Sequence, residues 1–73
     1  MVDEQWNKKF GERLRKLSRN HGIIFQKDLC ELTGISKNTM SRYWTGQQLP
    51  DIHTALLICD VIGCTLEELV TFE

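Results

Sequence analysis

The 73-residue sequence is poor in several features, and each shortage excludes a class of protein. Its apolar residues never form a run near the roughly 18 that a membrane-spanning helix requires. The first ten residues, MVDEQWNKKF, are polar and lack the apolar segment of a secretory signal. Three cysteines are an odd number without regular spacing, which argues against a disulfide framework. We therefore expect a protein of a reducing compartment, the cytoplasm.

Residues that could carry catalysis or bind a metal are also scarce. The candidates are three cysteines and two histidines, namely Cys30, Cys59, Cys64, His21 and His53. They form no Cys-x-x-Cys pair and no matched histidine spacing, and Cys30 and Cys59 fall on predicted core faces. An enzyme would need a nucleophile and a base in an organised pocket, which so short a helical chain hardly provides. We expect no metal, no cofactor and no enzymatic activity.

The distribution of charge is uneven, although the net charge is only −1. All nine basic residues lie at or before Arg42, together with five acidic ones, whereas the residues after Arg42 include five acids and no base. A nucleic-acid-binding domain is usually basic overall, so the total counts against that function. The segregation still allows one face to meet phosphates while the other faces away. Chance segregation on a solvated surface is the alternative interpretation.

Apolar residues recur at helical spacing along the whole chain, and no segment alternates as a strand would. We expect an all-α fold in a single domain, residues 1–73, with one small core. The predicted helices span residues 5–20, 26–33, 36–45, 52–62 and 66–71. The residues expected to point inward are Trp6, Phe10, Leu14 and Leu17 in the first helix, Leu29 and Leu32 in the second, Met40 and Tyr43 in the third, Ile52, Ala55, Leu56, Cys59 and Ile62 in the fourth, and Leu66, Leu69 and Val70 in the fifth.

Residues at the predicted helix ends support these limits. His21-Gly22 is a stop signal for the first helix, and Asp51 can cap the fourth. Thr65 followed three residues later by Glu68 is a capping-box pattern at the start of the fifth. Phe25 is a poor N-cap for the second helix unless its ring packs inward.

Residues 26–45 form the most informative stretch. Gly34 separates two short predicted helices and can adopt the positive φ of a tight turn, while Ser36 can cap the second of them. The outward residues of that second helix are polar or basic: Lys37, Asn38, Ser41, Arg42 and Thr45. Two short helices joined in this way, the second exposing hydrogen-bonding side chains, are typical of a helix-turn-helix that binds DNA. The alternative is that these side chains form only the solvated face of a core helix.

Several segments of the chain resemble the Cro/CI-type (XRE-like) helix-turn-helix family over roughly residues 8–70. The resemblance lies in FGERLRKL, in Gln26 followed by DLCELTGISKNTMSRY, in Gly46 with Pro50, and in ALLICDVIGCTLEELV. That family includes phage repressors, bacterial regulators and many antitoxins. The resemblance implies a five-helix, lambda-repressor-like fold with the third helix in the major groove.

The resemblance also implies roles for individual residues. The base-reading candidates are Lys37, Asn38, Ser41 and Arg42. The candidates for contact with the DNA backbone are Gln26, Thr45, Gln47 and Gln48. Such backbone contacts fix the register on the duplex without reading its sequence.

The chain departs from the family pattern in three places. Many members pair an arginine late in the first helix with a glutamate after the recognition helix, and those positions here are Ser18 and Trp44. We expect the Trp44 side chain to fill the volume of the missing ion pair. The connection before Gln26 is one residue longer than usual. The loop after the third helix has Gln47-Gln48-Leu49 where basic residues are common, which lowers the expected salt-dependent affinity.

The function expected from these observations is a sequence-specific transcriptional regulator of Cro/CI type. It would act as a repressor in a bacterial or phage-infected host cytoplasm, binding an operator in double-stranded DNA as a homodimer. Leu57, Val70 and Phe72 are the candidate dimer residues. The alternatives are an antitoxin-type module whose main partner is a protein, and a helical interaction domain that has lost DNA binding.

Overall fold

The computed structural model describes residues 4–70, with side chains from residue 5 onward. It contains five helices: α1 (Glu4–Asn20), α2 (Gln26–Thr33), α3 (Lys37–Trp44), α4 (Ile52–Ile62) and α5 (Leu66–Val70). No strand is present within residues 4–70. The predicted all-α, five-helix fold is therefore confirmed. None of these helices is both long and apolar enough to cross a membrane.

The core lies between α1, which packs on α3 and α5, and α4, which packs on α2 and α5. The largest fully buried side chains come from every helix: Phe10, Leu14, Leu29, Met40, Ile58 and Leu69. In a chain this short, these few side chains hold all five helices to one another. Helices α2 and α3 are thus both anchored to the rest of the chain, and the orientation of α3 is fixed by packing on α1 and α2.

The apolar stripe of α1 is buried from Phe10 onward, but its first member is not. Trp6 is 51% exposed, so its predicted place in the core is wrong. It lies in the first turn of α1, ahead of the level at which Asn7 and Lys8 approach Gly46. The helix ends as predicted, with Gly22 at a φ of 84°.

The rotation of α2 about its axis differs from the prediction. Leu29 and Cys30 are buried, whereas Leu32 is 58% exposed. Adjacent buried residues place the inward direction between them, and Leu32 lies off that direction on the Leu29 side. Phe25 occupies the N-cap position without a side-chain hydrogen bond, and its ring is exposed rather than packed inward.

The rotation of α4 also differs. Ala55, Cys59 and Ile62 are buried as predicted, but Ile52 and Leu56 are largely exposed and Ile58 is fully buried. The buried set follows steps of three, one and three, which is one narrow helical face. Leu57 is 41% exposed, in keeping with its expected position off the core face.

The caps predicted for α4 and α5 are present. Asp51 accepts a hydrogen bond from the Thr54 backbone N–H at 2.8 Å. The Glu68 carboxylate accepts from the Thr65 N–H, and the Thr65 hydroxyl accepts from the Glu68 N–H. These reciprocal bonds form a capping box. Leu69 is fully buried, while Leu66 is half-buried and Val70 is exposed.

Candidate nucleic-acid interface

The turn between α2 and α3 is built on Gly34. Its φ of 77° lies in the left-handed region, and its N–H donates to the Cys30 carbonyl at 2.9 Å. A residue with a Cβ is strained in that conformation. Thr33 supports the turn, because its hydroxyl donates to the Leu29 carbonyl and accepts from the Ile35 N–H. The chain therefore leaves α2 in a fixed direction and, after the three residues 34–36, enters α3 at Lys37.

The start of α3 is fixed by Ser36. Its hydroxyl accepts from the Thr39 N–H at 3.3 Å and donates to the Thr39 hydroxyl at 2.9 Å. The predicted N-cap is thus present, and the helix begins one residue later, at Lys37. A side-chain cap at this position satisfies one of the free N–H groups in the first turn.

Two buried side chains set the rotation of α3. Met40 and Tyr43 are 0% and 5% exposed, and they lie three residues apart on one face. The opposite face carries Asn38 and Arg42, both exposed. Lys37 is also exposed, and Ser41 is half-buried at the edge of this face. We call these four residues the α3 outer face.

Gln26, at the first position of α2, lies beside the start of α3. Its side-chain amide donates to the Lys37 carbonyl at 3.4 Å. This is a long hydrogen bond, so it orients the side chain more than it stabilises the fold. The sequence prediction placed Gln26 and Lys37 on the same binding surface, and the structure brings the two together.

The chain turns sharply after α3, at Gly46, whose φ is 80°. The N–H groups of Gln47 and Gln48 both donate to the Arg42 carbonyl, so this segment is folded back on the end of α3. The side chains of Gln47 and Gln48 are exposed. Thr45 is exposed too, but its hydroxyl proton is already donated to the Ser41 carbonyl at 2.7 Å.

Helix α1 holds this turn in place through contacts that were not predicted from the sequence. A Cβ placed on Gly11 would lie 2.9 Å from the Gly46 nitrogen, and one placed on Gly46 would lie 2.8 Å from the Asn7 oxygen. The Asn7 amide donates to the Gln47 carbonyl, and the Arg15 guanidinium donates to the Trp44 carbonyl. Gly11 was the available signal, since a glycine inside a helix often marks a close approach.

Trp44 and Ser18 occupy the positions where many family members have an ion pair. Trp44 is partly buried and packs against the core. Ser18 is fully buried, and its hydroxyl has no hydrogen-bond partner among the described residues. Within the described residues, the Ser18 hydroxyl thus makes no hydrogen bond to Trp44 in place of the ion pair. A polar link between α1 and the end of α3 comes instead from the bond of Arg15 to the Trp44 backbone.

Cys59, in α4, and Cys64, just after that helix, lie next to each other. Burial raises the pKa of the Cys59 thiol to about 12, with the neighbouring Cys64 adding to the rise. Burial also raises the pKa of Cys64. Both thiols are therefore protonated at neutral pH and pack as small apolar groups. Within the described residues, no three His, Cys, Asp or Glu side chains are grouped as a metal site.

Two short helices meet at a glycine turn, and the second exposes a polar outer face while its other face is buried. This geometry defines a helix-turn-helix protein. Residues 13–73 match the sequence profile of the Cro/C1-type HTH DNA-binding domain. The chain therefore belongs to the Cro/C1-type helix-turn-helix DNA-binding family.

One curated relative is similar over nearly the whole chain. It is the SPbeta prophage-derived uncharacterized HTH-type transcriptional regulator YotL of Bacillus subtilis (strain 168), 37% identical over 73 residues. The similarity covers 99% of this chain and 89% of that protein. No solved structure matches the chain significantly. The family is one of DNA-binding transcriptional regulators and is not an enzyme class.

Proposed function

We propose that the protein is a repressor that binds its operator as a dimer, with α3 in the major groove. The observation that carries the proposal is the α3 outer face, where Lys37, Asn38 and Arg42 are exposed while Met40 and Tyr43 are buried behind them. A side chain must project from the protein surface to reach a base edge, and these three side chains are exposed.

The chemistry of the outer face suits base recognition. Lysine and arginine donate to guanine O6 and N7, asparagine pairs bidentately with adenine N6 and N7, and serine suits several bases. Recognition helices in this arrangement contact bases through their N-terminal residues. We therefore assign base reading to Lys37 and Asn38 first, with Ser41 and Arg42 next.

The contacts with the DNA backbone would come from both sides of α3. Gln26 lies beside the start of the helix, and Gln47 and Gln48 follow its end. Their amides are donors suited to phosphate oxygens. Thr45 belongs to the same surface, although its hydroxyl proton is committed to Ser41, so we expect its side chain to contribute less than the glutamines.

Binding as a dimer would allow the protein to recognise an operator of sufficient length, made of two half-sites. Leu57 and Val70 are both partly exposed apolar residues, on α4 and α5. Phe72, the third candidate, lies outside the described residues. In a two-fold dimer, the recognition helices would enter the major groove about one duplex turn, or 34 Å, apart.

The relative's prophage origin supports a role as a phage or mobile-element regulator. Repression would then come from occupying the operator, and its extent would depend on protein concentration.

The experiment that tests the proposal is selection of bound sequences from random duplex DNA. We expect enrichment of a palindrome with half-sites one duplex turn apart. A double variant with Lys37→Ala and Asn38→Ala should select no consensus while remaining folded by circular dichroism. Failure of the wild-type protein to enrich any sequence would contradict the proposal.

A second candidate is a protein-interaction module in which DNA binding has been lost. The loop with Gln47, Gln48 and Leu49 carries no basic residue, and Asp60, Glu67 and Glu68 are exposed on the C-terminal half. An antitoxin-type regulator would combine such a partner surface with DNA binding. Affinity for random duplex that does not weaken with added salt would favour the module that has lost DNA binding, because binding through phosphate contacts weakens as salt is added.

A further inference from the structure

One stripe of α1 runs along the turn that follows α3. Lys8, Gly11 and Arg15 lie three and four residues apart, so they share a face of the helix. A Cβ on Gly46 would lie 2.8 Å from the Lys8 Cα, Gly11 faces the Gly46 backbone, and Arg15 donates to the Trp44 carbonyl. The turn after α3 thus packs against α1 along the face that runs from Lys8 to Arg15.

This arrangement changes the charge of the surface around the turn. Residues 43–50 contain no lysine or arginine. Two basic residues of α1 lie against that segment: the Lys8 backbone is next to Gly46 and the Lys8 side chain is exposed, while the half-buried Arg15 donates to the Trp44 carbonyl. Helix α1 therefore adds basic residues beside a segment that contains none of its own.

We propose that Lys8 is a DNA-phosphate contact, a role that rests on the DNA binding proposed above. The Lys8 Cα lies against Gly46, so the Lys8 side chain starts next to the segment that carries Gln47 and Gln48, the candidate phosphate contacts. A lysine ammonium on its flexible four-carbon stem can follow such a phosphate as a point charge. Arg15 is a positioning residue here, because its bond to the Trp44 carbonyl keeps the turn against α1.

Salt dependence of affinity separates a phosphate contact from a structural role. Each neutralised phosphate contributes about 0.9 to the slope of log affinity against log salt. Lys8→Gln should reduce the slope by about 0.9 and weaken operator and random duplex by the same factor. Lys8→Arg should restore the wild-type slope.

Lys16→Gln is the matched control, since it removes the same charge from an exposed position of α1 that does not lie on the stripe. Its slope should equal that of the wild-type protein, and the thermal unfolding of all three variants should show that they are folded. Equal slopes for Lys8→Gln and the wild-type protein, or an equal decrease in both glutamine variants, would overturn the role of Lys8 and leave the proposed function standing. Absence of any duplex binding by the wild-type protein would overturn both.

Discussion

Ser18 places a hydroxyl where the described structure offers it no partner. The residue is 0% exposed, and its Oγ makes no hydrogen bond within the described part of the chain. A buried polar group left unpaired costs about 1–3 kcal/mol. The position is therefore a local defect in the packing between α1 and the rest of the core.

Replacing Ser18 by alanine should stabilise the protein. The change removes the unpaired hydroxyl and introduces the best helix former, so we expect the free energy of unfolding to rise by about 1 kcal/mol. This free energy of unfolding is measured by urea denaturation, with circular dichroism as the probe.

Ser36→Ala is the control for Ser18→Ala, because the Ser36 hydroxyl does accept from the Thr39 N–H. Losing that cap should lower the free energy of unfolding by about 1 kcal/mol. Destabilisation by Ser18→Ala of the same size as by Ser36→Ala would show that the Ser18 hydroxyl is satisfied after all.

Two features of Gly46 disfavour a side chain, its positive φ and its close contact with α1, and substitutions can separate their effects. Its φ of 80° disfavours any side chain, and a Cβ there would also lie 2.8 Å from the backbone of α1. Gly46→Ala should therefore lower the unfolding free energy by more than the roughly 1–2 kcal/mol of left-handed strain alone. Gly22→Ala is the matched variant, with a φ of 84° and open space around the position.

Thermal melts of the two alanine variants test this difference. Gly22→Ala should show the strain alone, and Gly46→Ala should melt at a clearly lower temperature. Equal melting temperatures would mean that the close approach of α1 to the turn contributes nothing to stability.

At the scale of the helices, the stability of α4 depends on its N-cap residue, Asp51. Hydrogen bonds from the Thr54 backbone N–H and then from the Thr54 side chain lower the pKa of Asp51 below its usual 3.8. The folded-state pKa is thus lower than the unfolded one. The carboxylate's contribution to stability is complete above the unfolded pKa, and it is lost as the pH falls through the folded pKa.

Asp51→Asn isolates this contribution, since asparagine is a comparably good N-cap that does not titrate. The difference in stability between wild type and variant should be constant from neutral pH down to about 4, and should change below that in favour of the variant. Melting temperatures measured from acid to neutral pH give the comparison. A constant difference across the whole range would exclude a pKa shift at Asp51.

The sequence predicted the helix ends better than the helix rotations. Ser36, Asp51 and Thr65 are caps with their own side-chain chemistry, and each is found in place. In α4, by contrast, eight of eleven residues are hydrophobic, so its apolar pattern does not single out one face. The packing against α2 and α5 makes that choice, burying Ile58 and leaving Leu56 exposed.

The hydrogen bonds from α1 to the turn could not be predicted from the sequence, for a different reason. Arg15 and Asn7 donate to backbone carbonyls of Trp44 and Gln47. Every residue has a backbone carbonyl, so no residue type in the sequence identifies the acceptor. The outer face of α3 was accessible to prediction because both its exposed and its buried residues carry a side-chain signature.

At the scale of the whole molecule, the uneven distribution of charge and the exposed apolar residues both affect whether two copies of the protein can form a dimer. Leu57→Ser should shift the protein from dimer to monomer, because a polar side chain would weaken the proposed apolar contact between subunits. Leu56→Ser is the control, since Leu56 is as exposed as Leu57 but points to a different side of α4. Sedimentation velocity at micromolar concentration, with and without operator DNA, distinguishes the species. Wild-type protein that is monomeric under both conditions would rule out the dimer.

The account depends most on α3 reading bases, and one binding series tests that claim directly. The affinity of wild type, Asn38→Ala and Gln26→Ala would be measured for the selected operator and for each of its single-base variants. We expect Asn38→Ala to lose about 1–3 kcal/mol and its discrimination at one base pair, whereas Gln26→Ala should weaken all sequences alike. Unchanged discrimination by Asn38→Ala at every position, and by Lys37→Ala in the same series, would show that another part of the molecule reads the DNA.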